Sequence, residues 1–566
     1  MNPTVIQLAD FGGRPDSGED TTAAMRGALE AAAIIEGPVV LACERGRYEF
    51  FPEQATRAKY YISNTASEEE NPDVTRTIGI LLQGIRNLIL DGNGSLFVFH
   101  GKQTMIVIDG CEEIAIRHLR LDYAWPTVTE MTVEGVGPDY LDMAVHPDSR
   151  YEIANEALYW VGEGWKFRDG PMQEYDALTD TTWRTGNLSA SAVRVEERGA
   201  GKLRLFYSSS SMPTTSNGRV FQARDGIRDQ VGALIVQSRK IAWSDVGVHF
   251  MHGLGLVCQF SEDISFERIE LAPRPETGRT VAAFADCIHV SGCRGVVRVA
   301  DSRFAGAHDD AINVHGTYMR VVGHPAADEV LLRFMHPQTY GFPAFFPGDR
   351  ITFVRAGTLT GFAEAVVSEA KLLEPRVIWV KLDRDVPPDL RLGDVVENVT
   401  WTPEVEIVRN RLSRIPTRGV LVTTRRRALI EGNRFERIAM SAVLVAGDAG
   451  SWYESGCVHN LTIRGNSFFE CGGAEHAVIA ISPENAEPEF VHAGIMIEDN
   501  RFDMRAAPVL AARYAKELTF ANNQISVHHG HAQQDREADA AIRLTGCDEV
   551  TLSGNRYFKS AAIRTP

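Results

Sequence analysis

The sequence predicts an all-β chain: a right-handed parallel β-helix, with two small antiparallel β modules inserted between its coils and one helix capping its N-terminal end. Three observations carry this. Phrases of the form apolar-x-x-Asn-x-apolar recur in the C-terminal third ("IVRNRL", "IEGNRF", "IRGNSF", "IEDNRF", "FANNQI", "LSGNRY"), and their Asn410, Asn433, Asn466, Asn500, Asn523 and Asn555 are 23, 33, 34, 23 and 32 residues apart. Each phrase is flanked by alternating β-branched residues, the period of a strand and not of a helix. A repeat of roughly 20 to 35 residues made of short strands and Asn/Gly turns describes one coil of a solenoid whose strands stack coil on coil.

The elements follow in order. Residues 1–124 hold the cap and first coils: a helix from Ala23 to Ala33, introduced by Asp20, Thr21 and Thr22 as capping candidates, covers the open end of the solenoid. Residues 125–232, beginning "AWPTVTEMTVEGVG", and 319–402, containing "FPGDRITFV" and "VIWVKLDRDVPPDLRLGDVVENVTW", alternate like strands but lack a coil-length repeat. They read as inserted β modules, the second barrel-like, placed to wall a binding groove. Residues 233–318 form the central coils and 403–566 the C-terminal ones, and "VADSRF" (299–304) matches the repeat with Ser302 in the Asn place. The Asn column reads as structure, because Asn tolerates a left-handed turn conformation and can bond its counterpart one coil on.

At 566 residues the chain exceeds one ordinary compact domain, which suits an elongated body with insertions. A formal charge of −17 opposes nucleic acid or an anionic polymer as partner and favours a neutral substrate. No apolar run is long enough to span a membrane. Eight cysteines lie scattered with no CxxC pair, so they read as reduced core thiols. The N-terminus shows no basic stretch followed by an apolar one, so we expect no signal peptide here, and a cytoplasmic chain unless a leader for secretion or the periplasm was removed. The inserts offer surfaces for a homodimer.

The chemistry concentrates in twin phrases, "DCIHV" (Asp286 to Val290) and "DAINV" (Asp310 to Val314), whose aspartates are 24 residues, or one coil, apart. Stacked twins sit about 4.8 Å apart. Ile288 over Ile312 and Val290 over Val314 then form an internal ladder, and Asp286 over Asp310 a carboxylate pair at the strand corner, turned out of the core. By alternation Asp309 shares the outer face with Asn313 and His315, and His289 stacks outside Asn313. The expectation is an exposed patch of three carboxylates, two imidazoles and an amide. Such a patch suits glycosidic hydrolysis: one carboxylic acid protonates the leaving oxygen while a carboxylate roughly 6.5 to 9.5 Å away activates water for inversion. Asp286 and Asp310 could share that water, their repulsion raising one pKa, with Asp309 offset as the acid. A calcium site at the corner or a solvated turn would use the same residue types.

The opening "ADFGGRPDSGEDTTAAMRGAL" resembles the start of pectin-lyase-like β-helix proteins. "FADCIHVSGCRG", then "AGAHDDAINVHGTY", a β-rich insertion and "WYESG", together with "YYISN" near the start, resemble glycoside hydrolase family 110 over essentially the whole chain. Members of that family are inverting, exo-acting α-galactosidases that remove terminal α-1,3-linked galactose, including that of the blood group B antigen. The resemblance implies a galactose-terminated glycan as partner, no cofactor and no metal, Asp309 as general acid, and Asp286 with Asp310 activating water. His289, Arg294, His308, Asn313 and His315 could bond galactose hydroxyls, Trp452 could stack on the sugar's apolar face, and Glu454 could hold its hydroxyls.

Three alternatives share the fold. A polysaccharide lyase would need calcium and a Lys or Arg base, and neither twin phrase contains a basic residue. A polygalacturonase-type hydrolase would need a basic subsite, and no basic run lies near Asp309. A non-catalytic carbohydrate-binding β-helix would tolerate loss of Asp309.

Overall fold

The structure, a computed structural model, describes residues 3–504, 508–528 and 541–560. It is a parallel β-helix in which a typical coil contributes three strands. One coil runs through Ile288–Ser291, Arg294–Ala300 and Arg303–Ala305; after Ile312–Thr317 and an insertion, the next continues through Glu404–Val408 and Arg411–Ile415. The first strand of each coil joins a smaller parallel sheet, and the other two join a larger sheet bent at a corner.

The core follows from register. Ile407, Ile430, Ile463, Ile497 and Phe520 pair in sequence along one row, and Leu412, Phe435, Phe468, Phe502 and Ile525 along the next. Ring centroids of Phe435, Phe468 and Phe502 stack at 4.9 and 4.8 Å, with planes within 13° and 10°. Each such fully buried side chain contributes about 1.5–3 kcal/mol.

The Asn phrases lie at the corner between these rows. Asn410, Asn433, Asn466 and Asn500 each donate Nδ2–H to the Oδ1 of the next Asn at 3.0 Å, and Asn523 to Asn555 at 3.1 Å. The backbone N–H of each also donates to that same oxygen, so every amide from Asn410 to Asn523 is satisfied while buried. The column ends where Ser302 N–H donates to Asn410 Oδ1 at 2.9 Å. The expected left-handed Asn is corrected: the left-handed residue is the one before it, at Arg409, Gly432, Gly465, Asp499, Asn522 and Gly554, with φ between 54° at Arg409 and 66° at Gly554, and Asp301 before Ser302 follows at 53°. The Asn itself is buried and points its amide along the column.

A helix, Thr22–Ala33, covers the N-terminal end and buries Met25, Ala28, Leu29 and Ala32 along one stripe. Thr21 makes no side-chain cap; Asp20 Oδ1 accepts the Thr22 N–H at 2.9 Å instead. The first insertion leaves after Glu112–Tyr123 and returns at Ala233–Val236, and holds a seven-stranded antiparallel sheet and a three-stranded one around Trp160, Met143 and Leu205. The second is a closed barrel of Met319–Gly323, Glu329–Arg333, Val377–Leu382, Thr360–Glu374, Arg350–Arg355 and Val395–Asn398. Phe260 of the solenoid inserts between its Phe342, Phe346 and Trp401, at 5.5 to 5.8 Å. All eight cysteines are free, and all but Cys547 are buried.

Candidate active site

The site forms on the outer face of the smaller sheet. Ile288–Ser291 pairs with Ile312–Thr317, placing Ile288 beside Ile312 and His289 beside Asn313, and Ile312 in turn pairs with Val420. Two residues before Ile288, Ile312 and Val420 stand Asp286, Asp310 and Arg418, one above another. Asp286 Oδ1 accepts the Asp310 N–H at 3.3 Å, Asp310 Oδ1 accepts the Arg418 N–H at 3.0 Å, and Arg418 Nη2 lies 2.8 Å from Asp310 Oδ2. The third rung of the acidic column is therefore its counter-charge.

Asp309 faces two further guanidinium groups. Its Oδ1 lies 3.2 Å from Arg184 Nη2, on strand Thr181–Thr185 of the first insertion, and its Oδ2 lies 2.9 Å from Arg228 Nη2, on the segment returning to the solenoid. One carboxylate oxygen from each of Asp286, Asp309 and Asp310 falls within 4.8 Å of the other two. The expected gap of roughly 6.5 to 9.5 Å between acid and base is thus absent between the nearest oxygens. The expected exposed patch is also corrected. Asp286 and Asp310 are 4% and 1% exposed, because the first insertion and the segment around Glu454 close over them.

Burial is the largest influence on all three carboxyl groups. Burial, then the charge of Asp309, pushes Asp286 up to about 7. At Asp310 burial outweighs Arg418, and the neighbouring Asp309 and Asp286 add to the rise, again to about 7. At Asp309 burial is itself outweighed by Arg228, Arg418, Arg184 and Arg224, which hold the carboxyl below the usual range. Three adjacent carboxyl groups are thereby split into two raised toward neutrality and one held low.

These residues floor a cavity of about 160 Å³ whose walls include Asn64, Asn313, Asp448, Trp452, Glu454 and Glu484. Asn313 Oδ1 is buried without a partner and free to accept a hydroxyl. Glu454 is placed by the short strand Glu454–Ser455, which pairs antiparallel with Gly316–Thr317; a Cβ on Gly316 would run into Ser455 Oγ. Its Oε1 accepts from Asn64 Nδ2 at 3.1 Å. The Trp452 ring, 40% exposed at the rim, stacks on His336 of the second insertion at 4.2 Å.

Of the residues singled out in the sequence, Asp286, Asp309, Asp310, Asn313, Trp452 and Glu454 line this cavity. His289 and His315 lie directly behind Asp286: His289 Nδ1 is 2.8 Å from Asp286 Oδ2, and the two rings meet at 3.0 Å. Arg294 is corrected: it pairs with Glu262 at 2.8 Å and stacks over Trp401 at 4.5 Å, fastening the second insertion. His308 is corrected too, since its Nε2 sits 3.1 Å from Gln222 Oε1 and it is held against the first insertion, outside the cavity lining. The sequence reading missed Arg184, Arg228 and Arg418. Arg418 had a signal, because "RGV" repeats the spacing of "DCI" and "DAI". Arg184 and Arg228 had none, since they reach Asp309 from segments 125 and 81 residues away.

Comparison with known proteins shows the family of the chain. Residues 129–219 match the family described as GLAA-B beta-barrel domain I, and residues 329–396 match GLAA-B beta-barrel domain II. Alpha-1,3-galactosidase A of Bacteroides thetaiotaomicron is 41% identical, covering 98% of this chain and 98% of that protein. The protein of the same name from Bacteroides fragilis strain YCH46 is 42% identical over 99% of this chain and 93% of its own length. Alpha-1,3-galactosidase B of Bacteroides thetaiotaomicron is 31% identical over 98% of this chain and 91% of its own. With such identity sustained along nearly its whole length, the chain belongs to the α-1,3-galactosidases of glycoside hydrolase family 110.

Proposed function

We propose that this protein is an exo-acting, inverting glycoside hydrolase that releases terminal α-1,3-linked galactose, from branched blood group B structures, linear Gal-α-1,3-Gal, or both. The observation that carries the reading is the carboxyl trio at the floor of a cavity of about 160 Å³. That volume is below the roughly 300–1,000 Å³ of sites enclosing drug-sized ligands; it suits one terminal ring and not a chain running through.

Inversion is supported by how the carboxyl oxygens are occupied. Asp286 has one oxygen on His289 and one on the Asp310 N–H, Asp310 has both on Arg418, and Asp309 has one on each of two arginines. With both oxygens of each group engaged, none of the three presents a free oxygen to the anomeric carbon, and in this reading water is the attacking species. Incubation with Gal-α-1,3-Gal followed by NMR should show β-galactose first. Initial α-galactose would overturn inversion, and no galactose from linear or branched substrates would overturn the activity.

The family resemblance makes Asp309 the general acid, which requires substrate to draw Arg184 and Arg228 off its carboxylate. Their ion pairs favour a second division of labour, with Asp309 ionised beside the water and Asp286 or Asp310 supplying the proton. Asp309→Asn separates the two. If Asp309 is the acid, an aryl α-galactoside with a good leaving group remains a substrate while Gal-α-1,3-Gal is lost; if it activates water, both are lost together. The arginines bear on the calcium alternative as well. Calcium takes 6–8 oxygen ligands, whereas Arg184, Arg228 and Arg418 already supply positive charge to two of these three carboxyl groups. A chelator should leave the rate unchanged.

A further inference from the structure

Behind the cavity floor three hydrogen-bonding contacts run in series. Asp286 Oδ2 lies 2.8 Å from His289 Nδ1, His289 Nε2 lies 3.0 Å from His315 Nε2, and His315 Nδ1 lies 2.7 Å from Gly316 O. Both rings are buried, 0% and 2% exposed, and meet edge to face with centroids 4.8 Å apart.

The contacts fix a proton count. A peptide carbonyl only accepts, so His315 Nδ1 carries a hydrogen. Each of the other two contacts also needs one hydrogen, because two facing lone pairs or two facing N–H groups make no bond. Three contacts need three hydrogens, and two neutral imidazoles supply two. The third belongs either to Asp286 as a carboxylic acid or to one ring as an imidazolium opposite an Asp286 carboxylate. In both forms every contact is made and the net charge is the same.

We propose that His289 and His315 are positioning residues that store one proton for Asp286, letting it change between carboxylic acid and carboxylate during hydrolysis without exchange with solvent. This rests on the hydrolase reading above. In that reaction a water O–H breaks as its oxygen bonds the anomeric carbon, the glycosidic C–O breaks, and the leaving oxygen gains a proton. If Asp286 serves the water, parking the stored proton on the rings frees its carboxylate to take the water's proton. If Asp286 serves the leaving group, the stored proton is the one delivered to the leaving oxygen, the Asp309 carboxylate takes the proton lost by the water, and Asp286 is reloaded after the products leave.

The surroundings bias the resting position. Burial, followed by His315, pushes His289 well below the usual histidine range, whereas burial raises Asp286, so the unliganded chain keeps its proton on the carboxyl. The charged groups facing the pair are Asp309, Asp310, Glu454, Arg228 and Arg418. Of these, Asp309 and Glu454 favour an imidazolium at His289 and Arg228 opposes it.

Nitrogen-15 NMR of histidine-labelled protein without substrate tests the store independently of the galactosidase reading. At neutral pH we expect a hydrogen on His315 Nδ1 and on His289 Nε2, and the same tautomers in Asp286→Asn, whose amide supplies the third hydrogen. A neutral His315 beside a His289 that carries its only hydrogen on Nδ1 would overturn the proposal. Kinetics on Gal-α-1,3-Gal gives a second readout. In His289→Asn and His315→Phe, kcat should fall at least about 10-fold, with KM within about twofold and one limb of the pH profile moved by about one unit. Loss of kcat with an unmoved pH profile in both variants would make the rings structural and overturn it.

Discussion

Two columns of stacked residues run along this solenoid, the corner asparagines and the aspartates of the cavity floor, and they differ by one functional group. An amide donates and accepts at once, so Asn410 through Asn523 each bond the next rung and the column repeats through successive coils. An ionised carboxylate only accepts. Asp286 and Asp310 take backbone N–H groups from the following coil, but burial, with the charge of Asp309 beside them, raises both toward neutrality, and the third rung is an arginine. The same backbone geometry thus gives sustained repetition with one side chain and a charge-compensated interruption with another.

The largest expected effect comes from turning the acidic column into an amide one. Asp310→Asn should lower kcat/KM for Gal-α-1,3-Gal by about 10²–10⁴-fold with circular dichroism unchanged, and activity within tenfold of wild type would dissolve the contrast between the columns. The reverse exchange tests stability. Asn466→Asp leaves an acceptor for Asn433 but removes the donors to Ile430 O and Asn500 Oδ1, and it buries a charge. We expect a loss of about 3–5 kcal/mol at pH 7, read by thermal or denaturant unfolding and smaller at pH 4, where the introduced carboxyl is protonated.

Removing the arginine rung should act through titration. Arg418→Met takes away the group that lowers Asp310, so Asp310 rises above about 7 and the limb of kcat/KM that reports it, acid if Asp310 serves the water and basic if it supplies the proton, moves to higher pH; a limb moved to lower pH would contradict the assigned charge balance. The smallest effect concerns stability against pH. Asp286 is raised in the fold to about 7, against roughly 3.9 unfolded, so its neutral form contributes stability that is fully present below the unfolded value and lost as pH rises through about 7. Asp286→Asn should therefore melt above wild type at pH 8, with the difference vanishing near pH 4.

What the sequence displayed was what repeats or lies within one coil. The Asn phrases and the Asp286/Asp310 twins could be seen because parallel stacking converts a sequence interval into a contact. Arg418 obeyed the same rule and was obscured by the barrel inserted before it. Arg184 and Arg228 obey no interval, because antiparallel insertions set their position by docking. Burial of the patch was invisible for that reason as well: alternation gives the face a residue occupies and says nothing about what later covers that face. Arg294 shows the converse, a residue next to the twins in sequence that turns the corner onto the other sheet and stacks on Trp401.

The placement of the barrel between two neighbouring rungs also governs the order of events at the ribosome. Asp310 and Arg418 touch in the finished coil yet are 108 residues apart in the chain. At about 5–20 residues per second, strand Ile312–Thr317 waits roughly 5–20 s before its next neighbour is synthesised, an open edge during that interval. The closed barrel, with its own core of Val330, Leu332, Phe353, Val380 and Val396, can fold in that time. Chains arrested shortly after residue 402 emerges should therefore contain a protease-resistant barrel before the acidic cavity floor is complete.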